Sequence, residues 1–463
     1  MLNHLFNPRS VAVVGASNDP SKLGSVFLKN IIEGGYRGTI YPINPKAETI
    51  MGLRAFPSIL DVNGVDLAVI ATPAKNIIEI LEQCTDGTVK TAIVFSSGFG
   101  ELSEKGKSIE REMVSVARRS GLRFVGPNSV GIFSSSSHLH AMMPELGIKR
   151  GTTSLVSQSG NVGSQTLYRG SELGIGFNMF VSSGNEADLY CEDYIDFFRR
   201  EPETKVILAY IEGLRDARKF LETVKRTTAE KPIIALKGGD TKAGADTVHS
   251  HTGVMAGSAH IYNAALKQSG IVQAETIEDL HDFALAFNSN LYPKSRRIVV
   301  LTRGGGWGVV AADACEKAGL ELPNLRSEII ARLNKILPSY WNRKNPIDTV
   351  MASGFTLMTE ILDIIGRWDD VDGIIILGGF GGYFAKIWKE KDPEKVSKKI
   401  VELSRTKVIF GVSFTQDKGS RPAQLLRENN VPVYDEAKRA IRAYSKLVEY
   451  QQYVSMSNTL ADR

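Results

Sequence analysis

Short runs of β-branched residues alternate with longer amphipathic segments along almost the whole chain. This alternation is typical of βαβ units, in which helices cover a parallel sheet. The first series of apolar runs predicts strands at Ser10–Val14, Thr39–Ile43, Leu67–Ala71, Thr91–Phe95 and Arg123–Val125. The amphipathic stretches between them predict helices, among them Leu23–Glu33, Lys75–Gln83 and Ser103–Arg119.

Two interruptions divide the pattern into three units. A serine run at Ser134–Ser137 leads into an irregular segment, His138–Arg150, and a second break at Asn288–Arg297 is rich in Asn, Ser, Pro and basic residues. Later strands are predicted at Ser154–Val156, Met179–Val181, Val206–Ile211, Ile233–Lys237, Ile298–Leu301, Gly373–Leu377, Val408–Val412 and Val431–Tyr434, before a helix at Glu436–Tyr450. The predicted fold class is α/β, with three consecutive parallel-sheet domains over residues 1–135, 150–288 and 297–463.

Composition excludes several classes of protein but does not indicate a particular function. The 463 residues are 43% hydrophobic and 23% charged, with a net charge of +5, which is ordinary for a globular protein. The sequence contains no basic run with interleaved aromatic residues, which is the pattern that would indicate nucleic-acid binding. The three cysteines are too far apart for a metal site. The chain shows no signal-like start and no apolar run of about 20 residues, so we expect a cytoplasmic protein without membrane, nucleic-acid or metal partners.

A small-residue turn, Gly15-Ala-Ser-Asn-Asp-Pro20, joins the first strand to the first long helix. Backbone N–H groups and the positive end of a helix dipole attract anions at such a turn. The G-x-G-x-x-G spacing of NAD-binding proteins is missing, and Asn44-Pro-Lys46 stands where they place an acidic residue. Lysine suits the extra ribose phosphate that both coenzyme A and NADP carry, although Lys46 is equally compatible with an ordinary surface position.

Other strands of the first unit also end in small or polar residues. Because the carboxyl ends of parallel strands share one edge, these residues predict a cofactor site there. The candidate cofactor-binding residues are Gly15, Ser17, Asn18, Pro20, Lys46, Thr72, Pro73, Ser96, Ser97, Gly98 and Asn128. Tight turns between strands and helices would account for the same residue types.

The strand ends of the second unit carry candidate catalytic residues. Ser157, Ser159, Gly160, Ser183 and Gly184 predict a phosphate site at a helix N-terminus. Glu212 ends the next strand, and His251 is predicted in a polar loop before a helix at Met255–Gln268. A neutral imidazole is a nucleophile for phosphoryl groups, and a carboxylate stabilises its charged product. His251 as a surface residue, Glu212 as a salt-bridge partner, and His249 or His260 as the active histidine remain alternatives.

Several sequence motifs together carry a resemblance to a known family. The motifs are Ser10-Val-Ala-Val-Val-Gly-Ala-Ser17, Val94-Phe-Ser-Ser-Gly-Phe-Gly100, Gly126-Pro-Asn128, Val156-Ser-Gln-Ser-Gly160, Ser183-Gly-Asn185, Ser250-His-Thr-Gly253, Thr302-Arg-Gly-Gly-Gly306 and Asn345-Pro-Ile-Asp348. On these motifs, the chain resembles the alpha subunits of NDP-forming acyl-CoA synthetases, of the ADP-forming acetyl-CoA synthetase type. Its first two units are also similar to the alpha subunit of succinyl-CoA synthetase.

The resemblance implies a Rossmann-like CoA-binding domain followed by two flavodoxin-like ligase domains. It implies an acid–thiol ligase of the acetate–CoA type in which His251 carries a phosphoryl group and Glu212 supports the histidine. The reaction would convert acyl-CoA, phosphate and a nucleoside diphosphate reversibly into acid, coenzyme A and a nucleoside triphosphate. The Mg-nucleotide (ADP/ATP) would be held mainly by an ATP-grasp beta subunit, in an assembly such as α2β2.

The sequence leaves several points open. It does not name the carboxylic acid, and it does not decide between ADP and GDP. A CoA-binding regulatory protein without catalysis is a second hypothesis, and an NADP-dependent oxidoreductase is a third. The retained Ser250-His-Thr-Gly253 sequence and Glu212 argue against the second hypothesis, and the absence of a persuasive hydride-transfer site argues against the third.

Overall fold

The computed structural model describes residues 2–143, 147–252, 259–289, 291–350, 354–381, 386, 391–413 and 419–461. The chain divides into two compact units, residues 1–280 and 281–463. Within the described ranges, no helix has both the length and the apolar composition that crossing a bilayer requires.

The first sheet is formed by residues 10–125. In chain order the elements are α1 (Asn3–Phe6), β1 (Ser10–Val14), α2 (Leu23–Glu33), β2 (Thr39–Ile43), β3 (Thr49–Ile50), β4 (Leu53–Arg54), β5 (Leu67–Ile70), α3 (Ile77–Asp86), β6 (Thr91–Val94), α4 (Glu104–Arg118) and β7 (Arg123–Val125), with 3₁₀ helices at Ile59–Asp61 and Ala74–Asn76. Five strands are parallel in the order β2-β1-β5-β6-β7, and β3 and β4 form a separate hairpin. Strands β1, β5 and β6 are buried throughout, as expected between two helical layers.

The strand order of this sheet locates its ligand-binding position. The chain moves from β1 to β2 on one side and then returns to β5 on the other side of β1. In open α/β sheets a ligand binds beyond the carboxyl ends of the strands at this switch point. Gly15 and Thr72, both predicted cofactor residues, follow β1 and β5 and therefore lie at that position.

The second sheet has seven strands. Its elements are β8 (Gly131–Ser134), β9 (Leu139–Met142), β10 (Arg150–Ser157), α5 (Gly160–Leu173), β11 (Phe177–Ser182), α6 (Cys191–Arg200), β12 (Val206–Ile211), α7 (Ala217–Thr228), β13 (Ile233–Lys237), α8 (Lys242–Thr252), α9 (Ala259–Gln268), β14 (Val272–Ala274) and α10 (Ile277–Phe287). The order is β14-β13-β12-β10-β11-β8-β9, parallel except at β8 and β9.

The β8–β9 hairpin corrects one sequence-based prediction. Residues His138–Arg150 were expected to be irregular, but Leu139–Met142 is a strand, and residues 135–138 form the turn before it. The strands are four residues long, and β8 pairs with β11, with Phe133 opposite Phe180. Local periodicity is weak over so few residues, so the long-range pairing decides the structure.

The predicted loop around His251 is also wrong, because α8 extends from Lys242 to Thr252. The Thr241 hydroxyl accepts a hydrogen bond from the Gly244 N–H at 3.1 Å, which satisfies a free donor at the start of the helix. His251 lies near the C-terminal end of α8. The side chains of His249, His251 and His260, and residues 253–258, lie outside the described part of the structure.

The second unit contains the third sheet. Its elements after α10 are β15 (Ile298–Thr302), α11 (Gly305–Lys317), α12 (Ser327–Leu333), β16 (Ile347–Asp348), α13 (Phe355–Gly366), β17 (Gly373–Leu377), α14 (Lys395–Leu403), β18 (Val408–Val412), α15 (Arg421–Glu428), β19 (Val433–Tyr434) and α16 (Ala437–Ala461). The five strands are parallel in the order β16-β15-β17-β18-β19. The α/β class with three parallel-dominated sheets is thus confirmed.

Candidate functional site

The turn after β1 has a backbone that requires glycine. Gly15 has φ +92°, and a Cβ atom at this position would lie 2.7 Å from the Ala71 carbonyl oxygen. The Gly15 N–H donates to the Ile43 carbonyl at 3.1 Å, and the Asn44 side-chain amide donates to the Ala16 carbonyl at 2.7 Å. These contacts hold the ends of β1 and β2 together.

Two of the predicted cofactor residues in this turn make contacts within the protein. The Asn18 side-chain Nδ2 donates to the Thr49 carbonyl at 3.0 Å, and its Oδ1 accepts from the Met51 N–H at 3.0 Å. These two hydrogen bonds connect the β3–β4 hairpin to the turn. The Ser17 hydroxyl accepts from the Asp19 N–H at 3.0 Å. Pro20 is exposed. The Asn18 side chain therefore has a structural role that its position in the sequence did not suggest.

The ends of β2 and β5 provide a charged group and a buried hydroxyl. Lys46 is exposed, and its N–H donates to the Asn44 side chain at 2.8 Å, which shapes the turn without involving the ammonium group. The Thr72 hydroxyl oxygen is buried and has no hydrogen-bond partner among the described residues. Pro73, beside it, is exposed. A buried hydroxyl without a partner is uncommon in proteins and is compatible with a ligand at this edge.

At the end of β6, Ser97 and Gly98 are exposed, whereas Ser96 is buried and donates its hydroxyl proton to the Thr72 carbonyl. The Gly98 N–H donates to a Glu101 carboxylate oxygen at 2.5 Å. Gly98 has φ +105°, and among the described residues a Cβ atom there would have only the Ala74 Cβ, at 4.0 Å, within reach. This edge of the sheet is therefore open.

The carboxyl edges of the first and second sheets meet at two asparagines. The Asn128 N–H donates to the Ser96 carbonyl at 2.9 Å, and its side-chain amide donates to Asn185 Oδ1 at 3.3 Å. The Asn185 amide in turn donates to Glu101 at 2.5 Å and to Glu110 at 2.8 Å. The predicted cofactor edge and the predicted phosphate edge are thus continuous within the first unit.

The predicted phosphate residues surround the start of α5. The Ser157 hydroxyl donates to the Ser159 carbonyl at 2.6 Å, and the Ser159 hydroxyl accepts from the Val162 N–H at 3.4 Å, capping the helix. A Cβ atom on Gly160 would meet the Val130 side chain. The Ser159 cap leaves other backbone donors at the start of α5, where the helix dipole is positive.

The second part of the predicted phosphate site follows β11. Gly184 has φ +61°, and a Cβ atom there would meet the Pro127 carbonyl oxygen. Ser183 is buried, and its hydroxyl donates to Glu186 Oε1 at 2.7 Å. Since this proton is already shared with a carboxylate, the Ser183 side chain stabilises the loop itself.

Glu212 directly follows β12, and its backbone is held by Gln158. The Gln158 Oε1 atom accepts from the N–H groups of Glu212 at 2.5 Å and of Gly213 at 3.0 Å. Burial, the nearby Glu212 charge and a hydrogen bond with Glu212 raise the pKa of Tyr210 to about 12. Tyr210 therefore remains a neutral hydroxyl beside the Glu212 carboxylate at ordinary pH.

A basic residue lies at the end of the adjacent strand. Burial lowers the pKa of Lys237, whose Nζ atom lies 5.2 Å from the centroid of the Tyr262 ring. The Lys237 ammonium also donates to the Gly238 carbonyl. The attraction between a cation and an aromatic ring offsets part of the free-energy cost of removing the cation from water.

Sequence reasoning missed Gln158 and Glu186. Both occur in or beside quoted motifs, since Gln158 lies within Val156–Gly160 and Glu186 follows Asn185. Glu186 is 3% exposed, has φ +52°, and accepts from Gln158 Nε2 at 3.0 Å as well as from Ser183. An acidic residue directly after a polar turn motif was the available signal, but its burial depends on the fold.

The described residues contain no cluster of histidine, cysteine, aspartate or glutamate that could hold a metal ion. The three cysteines, Cys84, Cys191 and Cys315, are buried thiols. Burial raises the pKa of each of these thiols, so they lie far from a reactive thiolate state.

Two family models match the parts of the chain that form the first and second sheets. Residues 9–135 match a CoA binding domain, and residues 150–287 match a succinyl-CoA ligase like flavodoxin domain. These ranges include the edges of the first two sheets described above.

Full-length relatives extend the match to the whole chain. The chain is 36% identical to the acetate–CoA ligase (ADP-forming) II subunit alpha of Pyrococcus furiosus, over 98% of this chain and 99% of the relative. It is 37% identical to the corresponding isoenzyme I subunit alpha of that organism, over 98% of each chain.

A solved structure shows the same fold. The dinucleotide forming acetyl-coenzyme A synthetase 1 of Ca. Korarchaeum cryptofilum, in complex with phosphate and ADP, is 34% identical, with a TM-score of 0.90 over 99% of both chains. The chain therefore belongs to the family of ADP-forming acetate–CoA ligase alpha subunits, among the NDP-forming acyl-CoA synthetases.

Proposed function

We propose that this chain is the CoA-binding and phosphohistidine-carrying subunit of a reversible acyl-CoA synthetase. The reaction converts acyl-CoA, phosphate and a nucleoside diphosphate into an acid, coenzyme A and a nucleoside triphosphate. The observation that carries the proposal is the continuous edge at Asn128 and Asn185, whose side chains are 3.3 Å apart. A thioester bound along the first sheet would reach the predicted phosphate site of the second sheet without leaving this edge.

The residues at the first edge fit coenzyme A. The absence of a side chain at Gly15 would let a pyrophosphate approach the backbone N–H groups of the turn closely. The Thr72 hydroxyl, which has no partner among the described residues, offers a further hydrogen bond. The exposed Lys46 ammonium would pair with the ribose phosphate.

The first chemical step takes place between two substrates. A phosphate oxygen attacks the thioester carbonyl carbon, the C–S bond breaks, and the thiolate of coenzyme A leaves and takes up a proton. Backbone donors at the start of α5 would hold the phosphate, because they lie at the positive end of a helix dipole. The product is an acyl phosphate at the same edge.

The second step transfers the phosphoryl group to His251. A neutral imidazole nitrogen attacks phosphorus, the bond from phosphorus to the acyl oxygen breaks, and the carboxylate leaves. Glu212 would accept a hydrogen bond from the other ring nitrogen and stabilise the charged phosphoimidazole. In the last step a terminal oxygen of the nucleoside diphosphate attacks phosphorus, the N–P bond breaks and the histidine is regenerated.

A partner would hold the nucleotide in this scheme. The relatives from P. furiosus are named as alpha subunits, which implies a beta subunit. We propose an ATP-grasp beta subunit that binds Mg-ADP or Mg-ATP, in an assembly such as α2β2. Acetate is the proposed acid, on the evidence of the relatives.

A labelling experiment tests the carrier. The complex of this chain with its beta subunit is mixed with acetyl-CoA and labelled phosphate, and the protein is examined for acid-labile, base-stable label. We expect label on the wild type and on His249→Asn and His260→Asn, but none on His251→Asn. A wild type that binds coenzyme A without taking label would instead support a regulatory protein. Full labelling of His251→Asn would exclude His251 as the carrier.

A further inference from the structure

The side-chain amide of Gln158 uses every hydrogen bond that an amide can make. Its Nε2 group donates to Glu186 Oε2 at 3.0 Å and to the Gly213 carbonyl at 2.8 Å. Its Oε1 atom accepts from the N–H groups of Glu212 and Gly213. Since an amide has two donor hydrogens and two acceptor lone pairs, all hydrogen-bonding positions of the Gln158 amide are used. Three of its four hydrogen bonds are to the backbone of residues 212–213.

Three backbone groups and Glu186 together determine the orientation of this amide. Backbone groups fix one N–H donor and one carbonyl acceptor at Gly213, and the Glu212 N–H is a second fixed donor. An ionised carboxylate accepts hydrogen bonds only, so Glu186 favours the orientation that turns Nε2 towards it. In the reversed orientation, Oε1 would face both the Glu186 carboxylate and the Gly213 carbonyl, and Nε2 would face two N–H groups.

The position of Glu186 is itself well determined. The Ser183 hydroxyl donates to its second carboxylate oxygen at 2.7 Å, and the side chain is almost fully buried. The left-handed backbone at Glu186, with φ +52°, turns the chain at this point. Such a backbone is uncommon outside glycine and costs free energy, which suggests that the loop conformation serves the site.

We propose that Glu186 is a positioning residue for Glu212, because it anchors the Gln158 amide that holds the Glu212 backbone. This inference rests on the proposed phosphohistidine function and assigns a further residue to that site. Glu186 touches no reacting atom in this scheme. It acts by keeping the Glu212 carboxylate in place when the charge on the phosphoimidazole appears, at no cost in reorganisation at that moment.

The surroundings of Glu186 give it a protonation change near neutral pH. Burial raises its pKa to about 7, against the hydrogen bonds from Ser183 and Gln158 and with a further contribution from the Glu192 charge. Cys191, Tyr194 and Tyr262 also face it, and all three remain uncharged at neutral pH because burial raises their pKa values.

A cavity of about 370 Å³ connects Glu186 to charged side chains. Its wall includes Glu186 together with Glu110, Lys107, Arg111, Arg118, Arg215 and Tyr190. Lys107 pairs with Glu104 at 2.7 Å, and Arg118 with Asp188 at 3.3 Å. A protonated Glu186 carries an O–H donor that competes with the Gln158 donor, so we expect the hold on Glu212 to weaken below pH 7.

A double-mutant cycle tests the inference in the complete enzyme with its beta subunit. Glu186→Gln, Gln158→Ala and the double variant are assayed for ATP formation from acetyl-CoA, phosphate and ADP. We expect Glu186→Gln to lower kcat about tenfold and leave the KM for acetyl-CoA within about twofold, as for an interaction that acts on the chemical step. The double variant should have the same kcat as Gln158→Ala, because both substitutions interrupt the same series of contacts from Glu186 through Gln158 to Glu212. Glu203→Gln, an exposed acid of the same unit, is the matched control.

The outcomes separate this inference from the proposed function. A wild type without phosphohistidine would reject the proposed function. If the wild type takes up label normally, two results would reject only the role of Glu186. One is additive effects in the double-mutant cycle, and the other is a Glu186→Gln variant with the kcat of the wild type. If Glu186→Gln does not fold, the pH profile of kcat decides. In the wild type, kcat should fall as the pH drops through about 7. This fall should be absent in Gln158→Ala, and its persistence in that variant would overturn the inference.

Discussion

At the scale of single residues, a buried carboxylate stabilises the segment next to the candidate site. Asp188 is fully buried and accepts from Arg123 Nε at 2.7 Å, from Arg118 at 3.3 Å and from the Phe124 N–H at 3.1 Å. It follows the Ser183–Glu186 loop by two residues and binds it to α4 and β7. The three donors satisfy the carboxylate in a place where an unpaired charge would be costly.

We predict that Asp188→Ala destabilises the first unit. Removal of one partner leaves the half-buried Arg123 without its counter-charge, so the expected loss is about 3 kcal/mol in the free energy of unfolding. Urea unfolding followed by circular dichroism measures it. Glu222→Ala breaks an exposed ion pair of 3.0 Å with Arg218 and should leave the midpoint unchanged. An Asp188→Ala midpoint equal to that of the wild type would show that the cluster contributes nothing.

A second residue-scale prediction concerns Lys46. If its ammonium pairs with the ribose phosphate, Lys46→Ala should weaken coenzyme A binding about tenfold, as expected for the loss of a charge-assisted hydrogen bond. Binding of dephospho-coenzyme A, which lacks that phosphate, should not change. Isothermal titration of both ligands makes the comparison, and Lys29→Ala on the same domain is the control. Equal weakening for both ligands would place Lys46 elsewhere in the site.

At the scale of elements, the loops after parallel strands connect the two sheets of the first unit. The loop after β11 passes so close to the loop after β7 that Gly184 has no room for a side chain opposite Pro127. Asn128 and Asn185 then link the same two loops. The contact between these loops therefore depends on a residue without a Cβ atom.

Gly184→Ala should separate these loops. A left-handed backbone costs an alanine about 1–2 kcal/mol, and the contact with the Pro127 carbonyl adds to it. We expect a lower unfolding midpoint and less phosphohistidine label. Gly147→Ala is the matched control, because a Cβ atom there meets no atom of the described part of the chain within 4 Å. Wild-type labelling by Gly184→Ala would show that the contact between the loops is not needed for the transfer.

At the scale of the whole molecule, Glu186 links stability to pH. Its pKa rises from the usual 4.5 to about 7 in the folded chain because of burial. Between these values the folded state binds more protons than the unfolded state, so the free energy of unfolding falls as pH rises. The contribution amounts to at most about 3 kcal/mol over this window and does not change above pH 7.

The pH dependence provides a measurable difference between variants. Urea unfolding of the wild type and of Glu186→Gln at pH 5, 6, 7 and 8 should show a smaller slope for the variant between pH 5 and 7. The two slopes should agree above pH 7, where Glu186 is ionised in both states. Equal slopes throughout would mean that Glu186 has an ordinary pKa in the folded protein. Glu203→Gln should reproduce the wild-type slope.

Much of the fold follows from local pattern. Strands such as Ser10–Val14, Val206–Ile211 and Gly373–Leu377 have the predicted bounds, because fully buried parallel strands are continuous apolar runs. The hairpin at Leu139–Met142 and the helix around His251 were not predicted, since short edge strands and polar helices have weak periodicity. The predicted domain boundaries and the roles of the site residues stay predictions.

The sequence by itself determined the α/β class, the family and the small-residue turns that follow the strands, because these depend on residues close together in the chain. Only the tertiary structure decided that the Asn128 and Asn185 loops, 57 residues apart, meet. It also decided that Asn18 holds a hairpin and that Glu186 is buried against Gln158. Burial and hydrogen-bond saturation are properties of contacts between distant segments, and they determine the orientation and charge of a side chain whose identity the sequence already contains.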